Sequence, residues 1–110
     1  VAVTSEFKRG DTFLRWLVFP DTYEDGYFLL WDVAAQLRTN RGKLIADLTV
    51  SWEEPAETTR ALRLFAQDTT AWPLGLHELD AQLTRQSDSF IMSTKTVFID
   101  IVRDVTQVAP

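Results

Sequence analysis

Between Trp31 and Trp52 apolar residues recur at every second position, and this period of two constrains the fold more than any other feature of the chain. Trp31, Val33, Ala35 and Leu37 share one parity, while Asp32, Ala34, Gln36 and Arg38 share the other. Successive side chains of an extended chain point to opposite faces, so such a segment is a strand with one face buried. Thr39-Asn40-Arg41-Gly42 follows, with the small, polar and glycine residues of a hairpin turn. The alternation then resumes through Leu44, Ala46, Leu48, Val50 and Trp52, with only Ile45 out of step. Residues 31 to 52 therefore read as one β-hairpin.

The flanking segments extend the pattern. Thr12 to Phe19 is rich in aromatic and β-branched residues and stops at Pro20-Asp21. Asp25-Gly26 marks a turn before Tyr27 to Leu30. Leu79, Ala81 and Leu83 alternate with Asp80, Gln82 and Thr84. Val97, Ile99 and Ile101 alternate with Phe98, Asp100 and Val102, a strand apolar on both faces that belongs centrally or under a partner.

Glu53 to Gln67 is ambiguous. Ser51-Trp52-Glu53-Glu54 with Pro55 resembles a capping box, yet Thr58-Thr59 disfavours a helix and Leu62 and Leu64 alternate with Arg63 and Phe65. The preferred reading is a loop followed by a short strand at about residues 60 to 66. Asp68 to Pro73 suits a single helical turn capped by Asp68, which Pro73 and Gly75 end before the next strand.

About seven short strands and no long amphipathic helix predict an all-β protein, an antiparallel immunoglobulin-like β-sandwich formed by residues 1–110 as one domain. A small barrel is the alternative. At 110 residues, 45% apolar and 25% charged, the chain has the composition of a soluble globular domain with its own core. It has no cysteine, which removes disulfides, thiol catalysis and thiolate metal sites. The apolar run from Phe28 to Trp31 is far shorter than the ~20 residues of a membrane helix, so no membrane insertion is expected. No export signal is evident, and a start at Val1 suggests that processing or truncation removed something. With a net charge of −5 and its bases scattered, the chain lacks the basic patch that phosphate binding requires, and nucleic acid is disfavoured as partner.

No constellation points to catalysis. His77 is the one histidine, read as a surface or partly buried strand residue without a role. Glu53, Glu54 and Glu57 could offer oxygens to calcium but lack the spacing and glycine of a calcium loop, and read as a solvated loop. No nucleophile elbow, phosphate-cradling loop or H-E-x-x-H pattern occurs, so no catalytic, cofactor-binding or metal-ligating residue is assigned and the chain reads as a non-enzyme. Trp31 and Trp52 share the core parity of their strands, whereas Trp16 and Trp72 could be core or a sugar platform. Arg9-Gly10-Asp11 spells an integrin-recognition tripeptide. Between Phe7 and the strand at Thr12, however, Gly10 supplies the backbone angle of a tight turn and Asp11 a local bond.

Taken in order, "FKRGDTF", "DVAAQLR", "LIADLTVSW", "AWPLGLHELDAQLT" and "VFIDIVRDVT" resemble small β-rich proteins of tailed bacteriophages and prophages. They are similar to the immunoglobulin-like N-terminal domain of baseplate upper proteins. The matching positions are Gly10-Asp11-Thr12, Leu37-Arg38, Trp72-Pro73-Leu74-Gly75, Asp80 and Asp104-Val105-Thr106. The resemblance implies a virion structural component, made in the bacterial host cytoplasm, that docks to other virion proteins and to copies of itself without catalysis or cofactor. It further implies a place in the tail, baseplate or fibre, or on the head as a decoration. The baseplate proteins it resembles are longer and carry further domains, so the resemblance leaves its site in the virion open.

An edge strand or apolar patch would serve as the docking surface. Its candidates are Trp16 and Phe98, on strands with an apolar second face, and the aromatic pair Tyr27-Phe28, while Gly10, Asp11, Pro73 and Gly75 are structural turn residues. The alternative function is a carbohydrate-binding or host-adhesion module that uses an exposed tryptophan or the Phe7 to Asp11 loop.

Overall fold

The structure, a computed structural model, describes residues 4–105. Eight strands follow one another: β1 (Thr4–Lys8), β2 (Phe13–Val18), β3 (Trp31–Thr39), β4 (Leu44–Trp52), β5 (Ala61–Ala66), β6 (Gly75–Arg85), β7 (Ile91–Ser93) and β8 (Val97–Val102). The one helical element among the described residues is a 3-10 turn at Ala56–Thr58. The protein is all-β, as the alternation predicts. Its hydrogen-bonded order is β1-β8-β6-β3-β4-β5-β2, with β7 beside β6, and this mostly antiparallel sheet curls into a nearly closed barrel.

Closure depends on β4. Its first half pairs with β3, from Arg38↔Leu44 to Ala35↔Leu48, and its second half with β5, from Thr49↔Phe65 to Trp52↔Leu62. One continuous strand thus turns the corner between the two walls. The remaining seam lies between β1 and β2, where Arg15 bridges the gap. Its guanidinium stacks over Phe13 and Phe7, with centroids 5.2 and 5.7 Å away, and donates to the Leu14 carbonyl.

The strand alternation translates directly into burial. Ala35 and Leu37 on β3, Leu48 on β4, Leu62 and Leu64 on β5, and Leu79, Ala81 and Leu83 on β6 all point inward. Ile99 and Ile101 of β8 join them, and β8 lies between β1 and β6, the central place its two apolar faces predict. Each end of this aliphatic interior is closed by aromatic rings. At one end Phe7, Phe13 and Trp72 lie 5.1 to 5.7 Å apart. At the other, Phe28 meets Phe19, Trp31 and Trp52 at 4.9, 5.4 and 6.1 Å.

Some expectations change. β1 carries a single core residue, Phe7, and owes its strand form to parallel pairing with β8, which a local pattern does not reveal. β7 is three residues long and continues a ladder that Thr94 keeps intact through its own bonds to Ala81. Tyr27 to Leu30 is a run of tight turns instead of a strand, with Tyr27, Leu29 and Trp31 amides donating to Glu24, Gly26 and Phe28 carbonyls. His77 is not a surface residue: it shares the inward parity of Leu79 and is 1% exposed. Its Nδ1 lies 2.8 Å from the Gly75 carbonyl, which can only accept, so the proton sits there and Nε2 has no hydrogen-bond partner among the described residues.

Candidate functional site

The β2–β3, β4–β5 and β6–β7 connections emerge at the same end of the barrel, as the pairing of Trp31 with Arg85 and of Trp52 with Leu62 requires. The first of these, residues 19–30, is long enough to be mobile, yet it is tied down. Arg60 reaches across from the start of β5 and donates to the carbonyls of Pro20 (2.7 Å) and Tyr23 (2.9 Å) and to the Asp25 carboxylate (2.7 Å). The Gly26 amide donates to the Thr58 carbonyl at 2.8 Å, the Phe28 amide to the buried Thr59 hydroxyl at 3.3 Å, and the Gln86 amide to the Leu30 carbonyl at 3.1 Å. Planar guanidinium geometry lets one side chain hold several acceptors at once.

This tethering decides which way the aromatic and aliphatic groups point. Phe28 turns inward and is 1% exposed, and its neighbours in the tight turns are driven outward. Leu30 is 72% exposed, and Leu29, Phe90 and Ile91 are each more than half exposed. Trp31 forms the floor between them, with Phe90 edge-on at 6.2 Å. The Arg85 guanidinium sits 5.6 Å from the Trp31 ring centre and 5.0 Å from that of Phe90. Tyr27, Leu29, Leu30, Trp31, Arg85 and Gln86 thereby line a cleft of about 780 Å³.

Arg85 is fixed in turn by a two-pronged pair with Asp88, Nε to Oδ1 at 2.9 Å and Nη2 to Oδ2 at 2.7 Å. That fork, with the Phe90 amide donating to the same carboxylate, lowers the Asp88 pKa to about 2. The result is an apolar surface with an aromatic and an arginine at its centre and polar groups around it. Protein docking surfaces have this composition, and isolated monomers rarely expose contiguous apolar area without use for it.

The four residues anticipated as a docking surface do not come together. Phe28 is corrected to the core, as the keystone of the aromatic cluster under the loops. Tyr27 lies in the cleft. Trp16 projects from β2 on the outer wall, 47% exposed, with its indole N–H donating to Glu53 at 2.9 Å. Phe98 lies half-buried on the outer face of β8, between Thr4 and Glu78. Glu53 and Glu54 border a separate, smaller cleft of about 260 Å³ beside Asp25 and Arg60. Trp72 belongs to the core.

At the opposite end Gly10 has φ +101°, so the tripeptide is a turn. The Thr69 hydroxyl accepts from the Gly10 amide at 2.9 Å and donates to the Asp11 carbonyl at 2.7 Å. Asp11 bonds locally through its backbone, its amide donating to the Lys8 carbonyl at 3.2 Å, and Thr69, distant in sequence, adds a second tie. Pro73 stands exposed before Gly75, whose φ of +113° opens β6. Asp68 caps its turn by accepting from the Thr70 amide at 3.0 Å. Thr106 of the Asp-x-Thr motif lies outside the described residues.

Leu29, Leu30, Phe90 and Ile91 escape a reading based on parity because none of them belongs to a long alternating strand. The available signal is the reverse of alternation, apolar residues placed where the chain turns. No protein-family model matches the chain, and no curated protein matches it.

Proposed function

We propose that this chain is a non-enzymatic structural protein of a tailed bacteriophage or prophage particle that acts by protein docking through the loop end of the barrel. The observation that carries the proposal is the apolar cleft at Trp31 and Arg85. Its walls, Tyr27, Leu29 and Leu30, are solvent-exposed yet held by loops fixed through Arg60, Thr59 and Gln86. A surface already ordered loses little conformational freedom on binding.

The strand order supports an immunoglobulin-like sandwich as the ancestral plan. β3, β6 and β8 are neighbours, and β2, β5 and β4 are neighbours, which are the C-F-G and B-E-D groupings of that fold. In this plan the cleft is built by the B–C and F–G connections, the end that immunoglobulin variable domains use for recognition. The motif order of the sequence supplies the phage assignment. Place and partners follow from it: a tail, baseplate or fibre position in the virion, against other virion proteins and copies of the chain.

Mass spectrometry of particles purified after prophage induction tests this reading. The chain is expected in the particles, and a Leu30→Asp variant is expected to be synthesised and folded but missing from them. Absence of the wild-type chain from purified particles refutes the assembly role.

A further inference from the structure

The negative charge of the chain is gathered around the cleft. Connections 19–30 and 53–60 hold Asp21, Glu24, Asp25, Glu53, Glu54 and Glu57 against Arg60, and the start of β3 and the β6–β7 turn add Asp32 and Asp88 against Arg85. Both arginines are already taken, Arg60 by Asp25 and Arg85 by Asp88, each at 2.7 Å. The other carboxylates of this end form no ion pair among the described residues. Of the 16 carboxylates and 11 Lys and Arg side chains of the chain, eight and two lie here, which leaves eight against nine elsewhere. The far end and the walls are therefore close to neutral, and the net charge belongs to the cleft end.

Several of these groups stand at the margins of the cleft itself. Glu24 and Asp25 precede Gly26, which lines it, and the Glu57 carbonyl lies 3.2 Å from where a β-carbon on Gly26 would stand. On the other margin Asp32 accepts from the side chain of Gln86 at 3.0 Å, and Asp88 follows Ser87, another lining residue. Glu24, Glu57 and Asp32 are all exposed. Between the margins lies the apolar surface of Tyr27, Leu29 and Leu30 over Trp31.

An apolar cleft between acidic margins selects the chemistry of what covers it. Nucleic acid and anionic lipid are repelled. A second copy of the chain brings either the same acidic end or a surface with almost no surplus of positive charge. A segment with a large apolar side chain flanked by lysine or arginine matches both the field and the apolar surface. We infer that the occupant of the cleft is such a basic segment of a different protein. Its apolar side chain is seated on Trp31 between Leu30 and Arg85, and its cations face Glu24 and Glu57 on one margin and Asp32 on the other. This inference rests on the docking reading and deepens it by giving the chemistry of the partner.

Selection from a library of random peptides on beads tests the inference. Peptides that also bind the variant Leu29→Ser, Leu30→Ser are discarded, because it strips the apolar wall and leaves the charge unchanged. Those retained by the wild type alone are expected to carry net positive charge around an aromatic residue or leucine. Fluorescence anisotropy then follows the tightest of them, labelled with fluorescein. Its affinity is expected to fall about tenfold or more from about 50 to about 500 mM salt, and about tenfold in the double variant Glu24→Lys, Glu57→Lys. The double variant Glu6→Lys, Asp47→Lys makes the same change in net charge at exposed positions of the sheet wall, away from the cleft. Exposed charges more than about 8 Å away are screened at physiological salt, so it is expected to bind within about twofold of wild type. Thermal melts check that every variant folds.

Retained peptides that are neutral or acidic overturn the inference, as does a library from which the wild type alone retains none. An equal loss in the two charge variants overturns it too, since net charge and not the cleft margin would then hold the peptide. A chain found in particles whose cleft selects no basic peptide overturns this inference alone. A cleft that selects basic peptides, in a chain missing from particles, overturns the phage role alone.

Discussion

Thr69 offers the sharpest test of how the far end is held. Its side chain is fully buried, and its hydroxyl serves both backbone groups of the turn between β1 and β2, accepting from Gly10 and donating to Asp11. Thr69→Val keeps the shape and removes both bonds. Each neutral hydrogen bond is worth about 1 kcal/mol net, so the pair contributes about 2 kcal/mol. Unfolding entropy is about 2.1 cal/mol/K per residue, or roughly 0.23 kcal/mol/K for this length, so the melting temperature should drop by about 9 °C.

Thr69→Ser is the control. It keeps both bonds and loses a buried methyl group at about 1 kcal/mol, or roughly half the shift. Calorimetry of the three proteins in one buffer provides the measurement. A Val variant as stable as wild type, or more stable than the Ser variant, refutes the assignment of the turn's rigidity to this hydroxyl.

Three further outcomes follow from the geometry. Phe28→Ala should cost about 4 kcal/mol because it empties the aromatic cluster, whereas Trp16→Ala on the outer wall should cost about 1 kcal/mol or less; equal losses in urea melts would contradict their opposite placement. Arg60→Lys cannot serve the carbonyls of Pro20 and Tyr23 and the Asp25 carboxylate together, so amide exchange at Gly26 and Phe28 should accelerate about tenfold with little change in global melting; unchanged exchange would remove Arg60 as the loop's anchor. Asp88 should titrate near 2, and the stability it contributes is complete above the ordinary aspartate value of about 4 and disappears as pH falls toward 2. Carboxyl NMR on Arg85→Gln should return the midpoint toward about 4, and a midpoint that stays near 2 would show that the arginine is not its cause.

The walls of the barrel were legible in the sequence because burial there is periodic. Ala35, Leu37, Leu48, Leu79, Ala81 and Leu83 all occupy the face their parity assigns. Tertiary arrangements were less accessible. β1 is a strand through its partner β8, His77 is buried through the inward parity it shares with Leu79, and β4 closes the barrel by changing partners halfway. The candidate site was the least legible part. Tyr27 was anticipated, but Phe28 next to it is core, and Leu30 and Phe90 acquire meaning only when folding brings residues 30 and 86 within one hydrogen bond. Alternation identifies what a sheet hides, and a docking surface made of turns has no period.

The parallel pairing of β1 with β8 bears on mechanics. Thr4 and Phe98 lie side by side, level with Glu78 and Arg38 of the neighbouring strands, and Lys8 and Val102 lie side by side at the far end. Tension that enters at Thr4 and leaves at Val102 therefore pulls the two strands past each other along their length. The ladder between them is loaded in shear, so its bonds resist as a group, whereas a hairpin pulled at its open end unzips one pair at a time. A chain so connected resists stretching between its first and last described strands as a single unit before it yields.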